Sequence, residues 1–173
     1  MQVEPLGNLR RSHTCNQLRA EHVGQKVTLM GWVHRRRDLG GLIFLDLRDR
    51  YGITQCVIDP DAGAAFAKCE KVRSEFVLAV TGTVAARTEK TVNKNLDTGA
   101  VELAAAEVLI LNTSKPLPIP VAEESVVDES VRMQYRYLDL RRPVMSKHIL
   151  MRHKLAKAVR DYMDGQSFME IET

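Results

Sequence analysis

The stretch LIFLDLR, residues 42–48, alternates apolar and polar positions, the pattern of a strand buried on one face only. Ile43, Leu45 and Leu47 share the core side, and a chain that carries them must supply neighbouring strands and a common core. Phe44 then falls on the other face, beside Asp46 and Arg48, with the run Arg35, Arg36, Arg37 just upstream. A phenyl ring held on a polar strand face among cations suits stacking on an unpaired nucleobase, with the arginines meeting phosphate. The plainer alternatives are an ordinary exposed aromatic and a solvated arginine turn.

Further strand-like runs occupy residues 27–36, 53–59, 76–86 and 101–111. Gly40-Gly41 permits a tight reversal between the first two strands, and Tyr51-Gly52 leads into the third. Pro60 and Asp61 open a run rich in Ala, Lys and Glu, 62–72, that reads as a helix. A polar loop, 88–99, holds Lys90, Asn93, Lys94 and Asn95. Three strands, a helix and two strands, in that order, predict an all-β OB-fold barrel, which binds oligonucleotides on one face. A five-stranded barrel without a ligand is the alternative.

After residue 111 the composition changes. NTSKPLPIP carries three prolines in nine residues and predicts a stiff hinge over 112–123, separating a barrel domain, 1–111, from a second domain, 124–173. An acidic helical segment, 123–133, comes next, then YRYLDLRRP, then a helix over 144–164. Met145, Ile149, Ala156, Val159 and Met163 form its apolar stripe, interrupted by Arg152, and Gly165 is expected to end it. Residues 168–173 are expected to begin a strand. One long helix and one strand bury no core alone, so the second domain is expected to be an incomplete α+β unit.

The net charge of +3 and isoelectric point near 8.8 place any basic surface in local clusters. No apolar run approaches the roughly 20 residues of a membrane span, and MQVEPLGNLRRSH has no apolar signal core, so a cytoplasmic protein is expected. Cys15, Cys56 and Cys69 are odd in number and form no CxxC pair, which predicts reduced, partly buried thiols rather than a disulfide framework or metal site. His13, His22, His34, His148 and His153 show no ligand spacing.

His13-Thr14-Cys15, GWVHRRRDLGGLIFLDLRDRYGITQ (31–55), VTGTV (80–84), QYRYLDLRRP (134–143) and FMEIET (168–173) together carry a resemblance. The chain resembles the N-terminal part of bacterial-type aspartyl-tRNA synthetases, class II enzymes with an N-terminal OB-fold anticodon-binding domain. Lysyl and asparaginyl relatives share the barrel, but RRRDLGG with LDLRDR and RYLDLRRP resembles the aspartyl branch. FMEIET is similar to class II motif 1, which in that family packs across the dimer interface. Ser167 departs from the family's usual Gly before the Phe, and the proline that closes motif 1 is absent from the sequence.

The resemblance implies a role for each matching position. Phe44 would stack on the central anticodon base, a uracil, Gln55 would hydrogen-bond its edge, and Arg37 would hold the same nucleotide. An amide offers both donor and acceptor, as uracil's edge requires. Arg87 would lie near the third base, Glu102 would accept from the first, a guanine, and Asn93 would make a further contact. Arg35 and Arg36 would meet phosphate. The parent would activate aspartate with ATP and Mg2+, pass it to tRNA(Asp), and form a homodimer. Motifs 2 and 3 are not in the sequence, nor is GxxxxGK, so no catalytic residue, cofactor or metal is assigned and the chain alone is expected to be inactive. Two alternatives stay open: a free-standing tRNA- or ssRNA-binding OB protein, and an OB scaffold for protein contacts.

Overall fold

The computed structural model describes residues 3–121 and 126–172. It divides into two units, Met1–Pro116 and Leu117–Thr173, so the division falls inside the proline-rich stretch.

The first unit holds β1 (Lys26–Leu39), β2 (Leu42–Arg48), β3 (Ile53–Ile58), α1 (Ala64–Cys69), β4 (Val77–Ala86) and β5 (Val101–Asn112). The strands close into a barrel in the order β1-β2-β3-β5-β4. All neighbours are antiparallel except β3 and β5, which meet in parallel at Cys56↔Leu103 and Val57↔Ala104. This is the expected five-stranded fold with a helix between the third and fourth strands. The β1–β2 reversal places Gly40 and Gly41 at φ of +63° and +81°, a left-handed pair whose twist matches a two-residue hairpin. Ile43, Leu45 and Leu47 are fully buried, and Leu29, Val33, Cys56, Ile58, Leu78, Val80, Leu103 and Ile110 complete the core with them.

The helix expected over 62–72 is shorter. Pro60–Ala62 is a 3-10 turn whose entry is capped by the Asp59 carboxylate, and Gly63, at φ +53°, breaks the path before α1. Ala65 and Cys69 of α1 join the barrel core.

The second unit has α2 (Glu129–Gln134), α3 (Arg136–Asp139) and α4 (Pro143–Gly165). Of the expected acidic helix, residues 123–125 lie outside the described residues; α2 starts at Glu129 because the Asp128 carboxylate accepts the Ser130 N–H at 2.8 Å and caps it. Ile119 and Val121, within the expected hinge, are buried with Leu138 in a small core. The fully buried Asp139 is ringed by Arg132, Arg136 and Arg142 at 3.1, 2.6 and 3.4 Å. No residue of α4 is buried, and Ile149, Val159 and Met163 of its stripe are exposed.

Two expectations for the end of the chain are corrected. Gly165 is still helical; the left-handed position is Ser167, at φ +65°. Ser167 N–H bonds the Asp164 carbonyl and Phe168 N–H bonds that of Met163, the paired bonds of a Schellman C-cap. Residues 168–172 form no strand, because a strand needs neighbours for its backbone donors and acceptors and none is at hand among the described residues.

Candidate nucleic-acid interface

A β-bulge decides which arginines face Phe44. Val33 pairs with Leu47 on the core side, so simple alternation would carry Arg35 and Arg37 inward too. The register with β2 instead shifts between Val33 and Arg35, leaving His34 as the extra residue. A one-residue slip exchanges faces. Arg36 therefore pairs with Leu45, while Arg35 and Arg37 pair with Asp46 and Phe44 on the outer face.

On that face the side chains interlock. Arg37 Nη2 donates to Asp46 Oδ1 at 2.7 Å and to Gln55 Oε1 at 3.2 Å. Its guanidinium lies 6.0 Å from the centre of the Phe44 ring, at the limit of cation–π range. Arg87, just after β4, donates from Nη2 to the same Gln55 oxygen at 3.4 Å. Gln55 Nε2 donates to Glu102 Oε2 at 2.9 Å, and Arg87 Nε lies 3.5 Å from that carboxylate oxygen. The Gln55 amide is thus oriented by charge, its oxygen toward two guanidiniums and its nitrogen toward a carboxylate. Although on the outer face, Gln55 is only 5% exposed.

The donors of this cluster are not all used. Arg37 Nε and Arg87 Nε and Nη1 are buried without a hydrogen-bond partner. Unpaired buried donors are costly, so the face suits a ligand rich in acceptors, such as base carbonyls or phosphate oxygens. Charge is nearly balanced: Arg35, Arg37, Arg48 and Arg87 exceed Asp46, Glu75 and Glu102 by one.

Phe44, Arg37, Gln55, Arg87 and Glu102 are brought together as the sequence suggested, with Phe44 half-buried rather than free. Arg35 lies on the same outer face and is exposed. Arg36 does not join them. Its Nε donates to the Cys69 carbonyl at the end of α1 at 2.9 Å, and Nη2 meets Asp38 at 3.4 Å. Asn93 turns its side-chain oxygen to the Asn95 N–H at 3.0 Å and braces its own loop. Sequence reasoning placed Asp46 and Arg48 on this face without giving either a role, and it missed Glu75. Asp46 was legible, two positions beyond Phe44 on the same face.

The cysteines lie elsewhere and are buried; burial pushes the Cys69 thiol up to about 12 and raises Cys15 and Cys56 as well, so none is a ready nucleophile. Among the described residues no helix is long and apolar enough to cross a membrane.

Comparison with known proteins agrees with this geometry. Residues 27–111 match the OB-fold nucleic acid binding domain family, and residues 128–173 match the tRNA synthetases class II (D, K and N). An Acidobacterium capsulatum aspartate–tRNA(Asp/Asn) ligase is 56% identical over 97% of this chain, and a Ruminiclostridium cellulolyticum aspartate–tRNA ligase 48% identical over 98%. The chain spans 28% and 29% of their respective lengths. Among solved structures, asparaginyl-tRNA synthetase from Pyrococcus horikoshii superposes with a TM-score of 0.78 at 26% identity, over 92% of this chain and 37% of that one. Aspartyl tRNA synthetase from Entamoeba histolytica reaches 0.84 at 20% identity, over all of this chain and 42% of that one, a likeness of fold alone. Barrel and following helices thus define an anticodon-type OB domain leading into a class II aminoacyl-tRNA synthetase domain. Within that class, the chain belongs to the aspartate–tRNA ligase family.

Proposed function

We propose that the outer face of β1, β2 and β3 reads the anticodon of an aspartate tRNA. The supporting observation is the Gln55 amide, fixed between Arg37, Arg87 and Glu102 beside Phe44. An unstacked central uracil would lie on the Phe44 ring with its edge toward Gln55 and Arg37. Glu102 suits the N–H donors of a guanine at the first position, and Arg87 offers spare donors to the third. These groups already hold one another, so the RNA must exchange some of their bonds for its own. Arg35 is the exposed cation on the face placed to meet phosphate. Asn93 would help by shaping the neighbouring loop.

The whole protein, by this proposal, is a cytoplasmic, homodimeric aspartate–tRNA ligase acting on L-aspartate, ATP with Mg2+, and tRNA(Asp). The residues of this chain supply recognition, and aminoacylation by the chain itself is not expected.

The test is fluorescence anisotropy with an RNA hairpin whose loop carries the aspartate anticodon, and with a second hairpin bearing cytosine at the central base. Phe44→Ala should weaken binding by about 1–3 kcal/mol through lost stacking. Equal affinity of wild type and Phe44→Ala would remove the stacking role.

A further inference from the structure

A bulge is a choice between two registers, and the residues around His34 make it. On the edge of β1 away from β2, Val33 N–H donates to the Phe76 carbonyl at 2.9 Å, and Glu75 N–H donates to the Val33 carbonyl at 2.7 Å. The Ser74 hydroxyl lies 3.4 Å from the carbonyls of both Val33 and His34. The turn before β4 thus grips β1 at the bulge itself.

Glu75 sits at φ +64°, a region non-glycine residues rarely adopt. Its carboxylate is held bidentately by Arg48 Nη2, at 3.1 and 2.9 Å, with both side chains largely shielded from solvent. Arg48 Nη1 reaches His34 Nδ1 at 3.2 Å, and because arginine only donates, that nitrogen is the acceptor. One guanidinium from β2 therefore ties together the bulged residue and the strained turn.

We propose that Arg48 and Glu75 are positioning residues for RNA recognition: they hold the bulge at His34 and so set Arg35 and Arg37, rather than Arg36, beside Phe44. This rests on the anticodon reading above.

A dependence on pH follows. The charged groups around His34 are Arg48, Asp46, Glu75 and Arg35; burial first, then Arg48, hold its pKa below the ordinary 6.5. A histidine with a lowered folded pKa contributes fully above its unfolded value, and that contribution is lost as pH falls through the folded one. Protonation removes the acceptor at Nδ1 and sets two cations side by side. The clamp is intact at neutral pH and loosens only as pH falls through the lowered folded value, on the acid side of the ordinary 6.5.

The test uses the 173-residue chain, the two hairpins, and the variants Glu75→Gln, Arg48→Lys and His34→Asn. Glu75→Gln and Arg48→Lys should weaken anticodon-hairpin binding about ten-fold, the order of one charge-assisted contact, and erode the preference for central uracil. In the free protein they should shift the NMR signals of the Arg37 Nε–H and the Gln55 amide. His34→Asn, whose carboxamide oxygen can take the place of Nδ1, should keep neutral-pH affinity and those signals while losing the acid-side decline. Unchanged Arg37 and Gln55 signals in Glu75→Gln and Arg48→Lys would overturn the clamp, as would a His34→Asn pH profile matching wild type. If those two variants fail to fold, the pH dependence of the Arg37 and Gln55 signals in wild type and His34→Asn decides. If wild-type protein does not prefer the anticodon hairpin, the anticodon reading fails, and the same signals still decide the clamp.

Discussion

Asp46→Asn should separate the two ways this face can hold RNA. Of the outward arginines, Arg37 is paired with Asp46, Arg48 with Glu75 and Arg87 with Glu102. Exposed Arg35 contributes the surplus charge, so the face should neutralise about one phosphate. For single-stranded RNA each neutralised phosphate contributes roughly −0.7 to the slope of log affinity against log salt. Wild type should therefore weaken only about 2.6-fold between 50 and 200 mM salt. Asp46→Asn frees Arg37 from its 2.7 Å partner and raises the usable charge by one, so the loss over the same range should grow to about 7-fold. Preference for uracil over cytosine at the central base should fall, because Arg37 is no longer held across Gln55. Anisotropy titrations at four salt concentrations with both hairpins measure both effects. A wild-type slope near −2 or steeper, or an Asp46→Asn slope equal to wild type, would refute the charge accounting.

Arg36→Ala should lower the barrel's melting temperature by removing the bond to the Cys69 carbonyl, yet leave the salt slope for hairpin binding unchanged; a flattened slope would return Arg36 to the RNA. Ser167→Gly relieves a left-handed residue worth about 1–2 kcal/mol against an entropic cost of about 0.5–1, so α4 should gain about 0.5–1 kcal/mol by helix circular dichroism during urea unfolding. No gain would argue against this cap. Hydrogen bonds from Arg132, then the other arginines, hold the Asp139 carboxyl below its usual range, so its contribution to the second unit stands above about pH 4 and is lost as pH falls through the lowered value. Acid unfolding should start at a higher pH in Arg132→Ala than in wild type, and an unchanged onset would exclude that ring as the source.

The strands were legible because each repeats a period-two pattern that needs no knowledge of its neighbours, and Phe44 stood out because it broke the apolar-in rule. Gln55, Arg37, Arg87 and Glu102 followed from resemblance, and no local signal shows that they interlock. The bulge at His34 was beyond reach, since its cause is a turn some forty residues downstream gripping Val33. The sequence shows the three arginines only as a basic run, with no face assigned to each. The strand expected from residue 168 failed for the opposite reason: local propensity was sufficient, but pairing partners were not present among the described residues. α1 fell short because Gly63 could adopt a left-handed path that helix propensity alone does not register.

The parallel contact between β3 and β5 gives the barrel an uneven hoop strength. That seam is joined at Cys56↔Leu103 and Val57↔Ala104, whereas β1 and β4 meet along seven successive pairs. Local opening of the cylinder should begin at this seam, where few backbone bonds must break together. The Gln55–Glu102 hydrogen bond crosses it, one residue from the first parallel pair. A nucleotide laid across both side chains would act as a rivet, slowing hydrogen exchange at Val57 and Leu103 on the two sides of the seam.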